Sequence, residues 1–343
     1  MNNPTKLLFL MTLVTGTVIS ISSNNWYSAW IGLEINLLSF IPLMTDPSNV
    51  GSTEASLKYF LTQALASATL LFSVVFMALT FSAPYSLVIS NSFLNTLIHS
   101  SLLLKMGAAP FHFWFPGVME GLSWENGMML MTWQKIAPLV LISYNMTFST
   151  FTSFIVISSI IVGSLGGLNQ TSLRKILAYS SINHLGWLIA ALMISETFWN
   201  IYFITYTFLT ITIIFTLKNF KLSHLNQTFS LNSIDPTTKF FLFTSFLSLG
   251  GLPPFLGFFP KWIIIQNLTE SGMMPLVFSM VVMTLITLFY YLRITFSAFM
   301  LASSENTWNY EAILVNPSYY TAITLGVLST LGLPICTLIT HLL

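Results

Sequence analysis

Charge is what this sequence has least of. Its 343 residues include 11 Lys and Arg and 10 Asp and Glu, 6% in all, where a soluble domain carries roughly a quarter. Hydrophobic residues make up 55% and aromatic ones 15%, and the mean hydropathy is +0.79. So few charges cannot cover the water-facing surface of a soluble domain of this size. The net charge of +1 creates no field to gather nucleic acid or an acidic substrate. Cysteine is nearly absent. Cys336 alone can form no internal disulfide and cannot supply the thiolates of an iron–sulfur or zinc centre, so it reads as a small lipid- or core-facing residue. No P-loop and no GxGxxG occurs, hence no nucleotide site is expected. The opening MNNPTKLLFLM has no A-x-A-like cleavage site nearby, so it is expected to be a retained first span and not a removed signal.

What the sequence does contain is long apolar runs near the roughly 20 residues a helix needs to cross hydrocarbon. They show no ten-residue alternation, so a barrel does not fit. The fold class expected is an all-α polytopic membrane protein. Windows of about nineteen residues give about eleven spans, at approximately 5–22, 26–44, 57–80, 87–106, 126–147, 151–169, 174–194, 197–218, 239–258, 276–300 and 319–341. The polar link 219–238 is the longest between clear spans. With this count Lys6, Lys58, Arg174, Lys175, Lys218, Lys221 and Lys239 fall on the side of the N-terminus, and Glu196 and Glu270 on the other. The positive-inside rule then puts the N-terminus in the compartment of synthesis.

One internal match emerges. Gly107-x-x-Pro110-Phe111-x-x-x-Phe115-Pro116 repeats as Gly251-x-x-Pro254-Phe255-x-x-x-Phe259-Pro260, each at the end of an apolar run. So short a match can arise by chance in a Phe-rich chain. Its physical content counts for more, because interrupted helices at corresponding positions of two halves point to a transporter's ion site. The span count starts the two breaks from opposite faces, as an inverted repeat requires.

Ionisable groups inside spans cost about 2.5–3.5 kcal/mol each on insertion scales and are functional candidates by default. Glu34 lies mid-span in WYSAWIGLEINLLSFIPLM, and Lys135 lies in GMMLMTWQKIAPLVLISY, three residues before Pro138. Lys105 precedes the first break and Lys261 follows the second. Burial disfavours the charged form and an opposite charge favours it, so a Glu–Lys pair with two arrangements is an electrostatic proton gate. The plainer readings are that Lys105 and Lys261 snorkel from helix ends, and that Glu34 and Lys135 belong to an ion pair that fixes packing. Ser180, Asn183, His184 and Trp187 share one helical face, which suits a hydrated proton path or an interhelical hydrogen-bond seam equally. His112, two residues past Pro110, can relay protons or bond a freed carbonyl, and His99 and His341 are weaker candidates. Gly163-x-x-x-Gly167 reads as close helix packing, and Arg293 as partner of a carboxylate or carbonyl.

GLEINLLSFIP, STEASLKYFLTQALAS, LLLKMGAAPFHFWFPGVMEGL, MTWQKIAP, GGLNQTSLRKILAYSSINHLGW and SLGGLPPFLGFFPKW together resemble the chain 2 family of mitochondrial NADH–ubiquinone oxidoreductase, respiratory complex I, in its insect-like form. The resemblance covers nearly the whole chain, although the part after about residue 300 is generic. It implies an antiporter-like subunit of the proton-pumping membrane arm with two inverted five-helix repeats, shortened at its N-terminus relative to fourteen-helix bacterial relatives. The chain would form a single antiporter-like domain, with repeats at approximately 5–147 and 151–300 and a C-terminal helix at 319–341. The family's buried glutamate falls on Glu34, its broken-helix lysine on Lys105, the central lysine on Lys135 and the lysine of the second break on Lys261. The repeat is imperfect, since the counterpart of Lys105 is Leu249.

The resemblance further implies no redox cofactor and no metal in this chain, with NADH, FMN, iron–sulfur clusters and ubiquinone elsewhere in the complex. It implies other membrane-arm subunits and lipid as partners, no nucleic acid, and a multi-pass place in the mitochondrial inner membrane with the N-terminus in the matrix. The expected mechanism starts with charge arriving at the Glu34–Lys105 pair, which separates it and releases the lysine's proton. That proton passes to Lys135 and on toward Lys261, with His112 and His184 as candidate relays. The alternatives are an autonomous cation/proton antiporter, or a structural spacer between neighbouring subunits, for which buried Glu34 and Lys135 would be a cost without return.

Overall fold

A computed structural model describes residues 4–46, 48–82, 91–146, 148–229, 236–300 and 317–342. The start of the fourth span at 87–90 and the side chains of Lys239, Cys336 and His341 lie outside the described residues. The helices are α1 (Pro4–Ser22), α2 (Trp26–Met44), α3 (Val50–Ser82), α4 (Asn91–Met106), α5 (Trp114–Gly121), α6 (Trp124–Met131), α7 (Trp133–Ser143), α8 (Thr150–Gly167), α9 (Leu173–Ile194), α10 (Glu196–Asn219), α11 (Leu225–Phe229), α12 (Pro236–Gly250), α13 (Phe258–Glu270), α14 (Met274–Met300) and α15 (Pro317–Leu342). They form two compact units, Met1–Phe151 and Thr152–Leu343. Among the described residues 7 helices are long and apolar enough to cross a membrane. The one β feature there is an isolated bridge between Ser172 and His224, which ties the link after α10 to the start of α9.

Two spans read from the sequence differ in the structure. The span at 126–147 is two helices, α6 and α7, parted at Thr132 (φ −111, ψ −70). Pro138 sits inside α7 and has no N–H, so the carbonyl of Gln134 lacks its helical donor. The span at 239–258 stops at Gly250, and a further helix, α13, begins at Phe258. Hydropathy passed over α13 because Lys261, Gln266, Asn267 and Glu270 dilute its apolar residues.

In the first unit α2 packs against both α1 and α3. Gly32 permits the first contact: a Cβ there would lie 2.6 Å from the backbone nitrogen of Ser20. The outer face of α3 exposes Leu57, Leu61, Leu65, Phe72 and Leu79, a helical stripe suited to hydrocarbon. In the second unit α9 is buried on all sides, 94% of its apolar window, against 22% for α1. Gly163 meets Asn183 of α9 and Gly167 meets Tyr290 of α14, so the GxxxG segment serves packing, as its spacing indicates. Several buried serine and threonine hydroxyls are satisfied within their own helices. Ser73, Ser101, Thr212 and Ser245 each donate to the carbonyl three residues back, which lets an apolar span carry them without a partner elsewhere.

Replacing Gly32 by Ala forces α1 and α2 apart, and overpacking of this kind costs about 1–3 kcal/mol. Gly117 has nothing within 4 Å of the added methyl. Thermal unfolding in detergent should therefore show a clear loss for Gly32→Ala and little change for Gly117→Ala; equal midpoints would refute the close approach.

Candidate functional site

The two Gly-x-x-Pro-Phe stretches fold alike, residue for residue. Helix α4 ends at Gly107 (φ +75) and α12 at Gly251 (φ +81), left-handed positions that glycine adopts without a Cβ penalty. Gly107 N–H donates to Leu103 O (3.0 Å) and Ala108 N–H to the same carbonyl (3.1 Å). Gly251 N–H donates to Leu247 O (3.1 Å) and Leu252 N–H to the same carbonyl (3.4 Å). Both are Schellman-type helix ends. Phe111 N–H then bonds Ala108 O (2.8 Å) and Phe255 N–H bonds Leu252 O (2.9 Å). Ala109–Pro110 and Pro253–Pro254 are both cis. Helix resumes seven residues after each glycine, at Trp114 and at Phe258.

Each break frees carbonyls that need donors. In the first unit Gln63 of α3 donates its Nε2 to Lys105 O (3.0 Å), and Trp114 donates its indole N–H to Leu104 O (3.1 Å). In the second unit the donor is Lys261, whose Nζ reaches Gly250 O at 2.8 Å and Leu249 O at 3.4 Å. Leu249 is the counterpart of Lys105. Folding therefore returns an ammonium to the position where the second sequence copy lacks one. Lys105 and Lys261 are each 7% exposed, so neither snorkels.

Lys105 borders a cavity of ≈ 20 Å³ lined also by Asn36, Tyr59, Gln63, Gln134 and Pro138. That is room for about one water. Gln134 Nε2 donates to Asn36 Oδ1 (2.9 Å), linking α7, which carries Lys135, to α2, which carries Glu34. Glu34 and Lys105 form no direct ion pair, and the buried Oε1 of Glu34 has no hydrogen-bond partner. The expected Glu34–Lys105 pair is thus not in direct contact. Lys135, 1% exposed, holds its amine 5.6 Å from the Phe115 ring centre, and Phe115 belongs to the repeated motif. His112 is buried and its Nδ1 lies 3.3 Å from Pro110 O, so it meets the carbonyl opened by the break.

In the second unit Lys261 Nζ stands 5.9 Å from the Trp187 ring centre. Trp187 lies parallel to Tyr202 of α10 (6.4 Å, 4°), and the Tyr202 hydroxyl is 2.8 Å from His184 Nδ1. His184 also faces the Tyr206 ring at 5.0 Å. The polar stripe Ser180, Asn183, His184 and Trp187 is buried throughout, though in a helix buried all round it is no longer set apart by burial. Arg293 takes the carbonyl alternative, donating Nη2 to Gln170 O (3.1 Å).

The sequence reading missed Asn36, Gln63 and Gln134, although side-chain amides inside apolar runs were a visible signal. It also missed Tyr202 and Tyr206, spaced i and i+4 on α10. Among the described residues no three His, Cys, Asp or Glu side chains gather where they could hold a metal.

The family model for the membrane region of NADH:quinone oxidoreductase/Mrp antiporters matches residues 23–287, and that for the NADH dehydrogenase subunit 2 C-terminus matches 288–340. The chain is 55% identical to NADH-ubiquinone oxidoreductase chain 2 of Anopheles gambiae over 302 residues, 88% of each chain. It is 54% identical to that of Aedes aegypti over 97% of each. Its fold is similar to a chain of respiratory complex I from Thermus thermophilus (TM-score 0.84, 26% identity, covering 97% of this chain and 79% of that one). It also resembles a chain of the Mrp complex from Dietzia in fold (TM-score 0.81, 17% identity, covering 96% and 75%).

Gln63→Leu should leave the Lys105 carbonyl buried without its side-chain donor, a loss of about 1–3 kcal/mol. Gln63→Glu, which can donate only when protonated, should make thermal stability fall with rising pH. A Gln63→Leu protein as stable as the wild type would refute this capping role.

Proposed function

The chain belongs to the NADH:quinone oxidoreductase/Mrp antiporter family, within its NADH-ubiquinone oxidoreductase chain 2 group, and from that premise we propose how it serves as a proton-translocating membrane-arm subunit of respiratory complex I. The observation that carries the proposal is three lysines buried at helix interruptions, Lys105, Lys135 and Lys261. A packing role gains little from placing three amines where each costs insertion energy. A proton path needs groups of this kind, which bind a proton and give it up as neighbouring charge changes.

In the first unit Lys105 and Lys135 are the proton sites and Glu34 is the charge that gates Lys105. A one-water cavity beside Lys105 supplies a mobile carrier, and His112 stands at the break as a relay. In the second unit Lys261 is the proton site and His184 its relay. The chain works as a translocase without redox chemistry of its own; electron transfer from NADH to ubiquinone through FMN and iron–sulfur clusters occurs in other subunits and reaches these lysines as electrostatic change. Its partners are other membrane-arm subunits and lipid, not nucleic acid. The two breaks organise two inverted repeats of one antiporter-like domain. The basic residues at Lys6, Lys58, Arg174 and Lys175 put the N-terminus in the matrix, and a membrane-impermeant amine reagent should label Lys6 from the matrix face only.

The autonomous antiporter reading draws on the Mrp likeness, which at 17% identity concerns fold alone. Reconstituted alone, the chain should exchange no Na⁺ for H⁺.

A positioned proton-transfer group contributes on the order of 10²–10⁴-fold to the step it serves. Lys105→Ala or Glu34→Ala in the assembled complex should therefore depress proton-coupled NADH oxidation by at least about tenfold. Full pumping stoichiometry at wild-type rate in both variants would sink the scheme.

A further inference from the structure

Several polar atoms of the second unit are buried without a hydrogen-bond partner, among them Asn183 Oδ1 and Trp187 Nε1 on α9 and the hydroxyls of Tyr290 and Tyr291 on α14. Buried polar atoms are nearly always bonded, and a native exception calls for a reason such as a site for ordered water or a proton-carrying role. The two tyrosines are 0% and 1% exposed. A phenylalanine at either position would fill the same space and bury no unbonded hydroxyl, so packing does not account for the oxygens.

Their placement is ordered. Lys261 stands over Trp187, and Trp187 lies against Tyr202, whose hydroxyl meets His184 at 2.8 Å. Tyr206 lies beside His184, one turn along α10 from Tyr202. The Tyr291 ring reaches the break that Lys261 binds, 3.4 Å from where a Cβ on Gly250 would stand, and Tyr291 abuts Tyr290 with ring centres 4.6 Å apart. The Tyr290 ring fills the space at Gly167, where a Cβ would come within 2.8 Å of it. Three residues further along α14, exposed Arg293 binds the carbonyl of Gln170, just beyond the end of α8.

We propose that the hydroxyls of Tyr202, Tyr206, Tyr291 and Tyr290, with water bound between them, form a proton-conducting file from Lys261 and His184 to a mouth beside Arg293 and Gln170. Each hydroxyl accepts a proton on its lone pair as it passes its own to the next oxygen. Every tyrosine ends neutral, and one proton leaves at the far end for each that enters. Arg293 keeps the mouth hydrated and disfavours a resting proton there. The file rests on the reading of Lys261 as a proton site.

The test uses the assembled complex in liposomes, with Tyr290→Phe, Tyr291→Phe, the double variant and Lys261→Met compared for proton yield per NADH, coupled turnover, solvent deuterium effect and thermal midpoint. The phenylalanine variants keep the midpoint, because no protein hydrogen bond of good geometry is lost. The double variant lowers coupled turnover about tenfold, the lower side of what a positioned proton carrier contributes, and enlarges the deuterium effect. Unchanged turnover and deuterium effect in the double variant, with Lys261→Met impaired, would overturn the file and leave Lys261 standing. Impaired tyrosine variants with an intact Lys261→Met would overturn the Lys261 reading and, with it, a file that starts at that lysine. A high-resolution map of the unsubstituted complex gives a check without variants: ordered water on the Tyr290 and Tyr291 oxygens supports the file, and a dry seam overturns it.

Discussion

A helix interrupted inside a membrane must satisfy the carbonyls it frees, and the rest of this structure follows from how that is done. Hydrocarbon offers no donors, so an opened backbone survives only where protein or water supplies them. At the first break the donors are neutral, Gln63 and Trp114. At the second the donor is an ammonium, Lys261. One backbone device is thus completed by two different chemistries. The break that binds a lysine through its carbonyls holds that amine near Gly250, while the other leaves the Lys105 amine at a cavity wall.

This difference shapes how charge can act. Lys105 and Glu34 form no contact ion pair, so on the proposed reading a change of charge nearby would alter the lysine's hold on a proton without first breaking a salt bridge. Lys261 is held by backbone dipoles and the face of Trp187, fixed partners that do not titrate. The two lysines thus sit in different chemical settings even though the glycine turns beside them carry matching hydrogen bonds. Lys135 follows a third interruption, at Thr132, and Phe115 of the repeated motif lies under its amine.

Much of this was legible because the signals are local. Low charge and long apolar runs fix a membrane bundle; Gly107, Pro110, Gly251 and Pro254 announce the breaks; and mid-span Lys135 and Glu34 stand out by their insertion cost. Other features gave no such signal. Thr132 breaks a helix without glycine or proline at the break, and α13 is too polar and too short for a hydropathy window. Tyr202, Tyr206, Tyr290 and Tyr291 look like ordinary aromatic residues until their neighbours are known.

The sequence by itself determined that this chain crosses a membrane, where its helices are interrupted and which ionisable residues lie inside, because hydropathy, glycine and proline geometry and the cost of burying charge are properties of short stretches. Tertiary structure alone decided which donor meets which freed carbonyl. Gln63 reaches Lys105 across 42 residues, and Lys261 turns back to the position where the second copy has Leu249. Those partners come from different helices, and only their packing brings donor and acceptor within bonding distance.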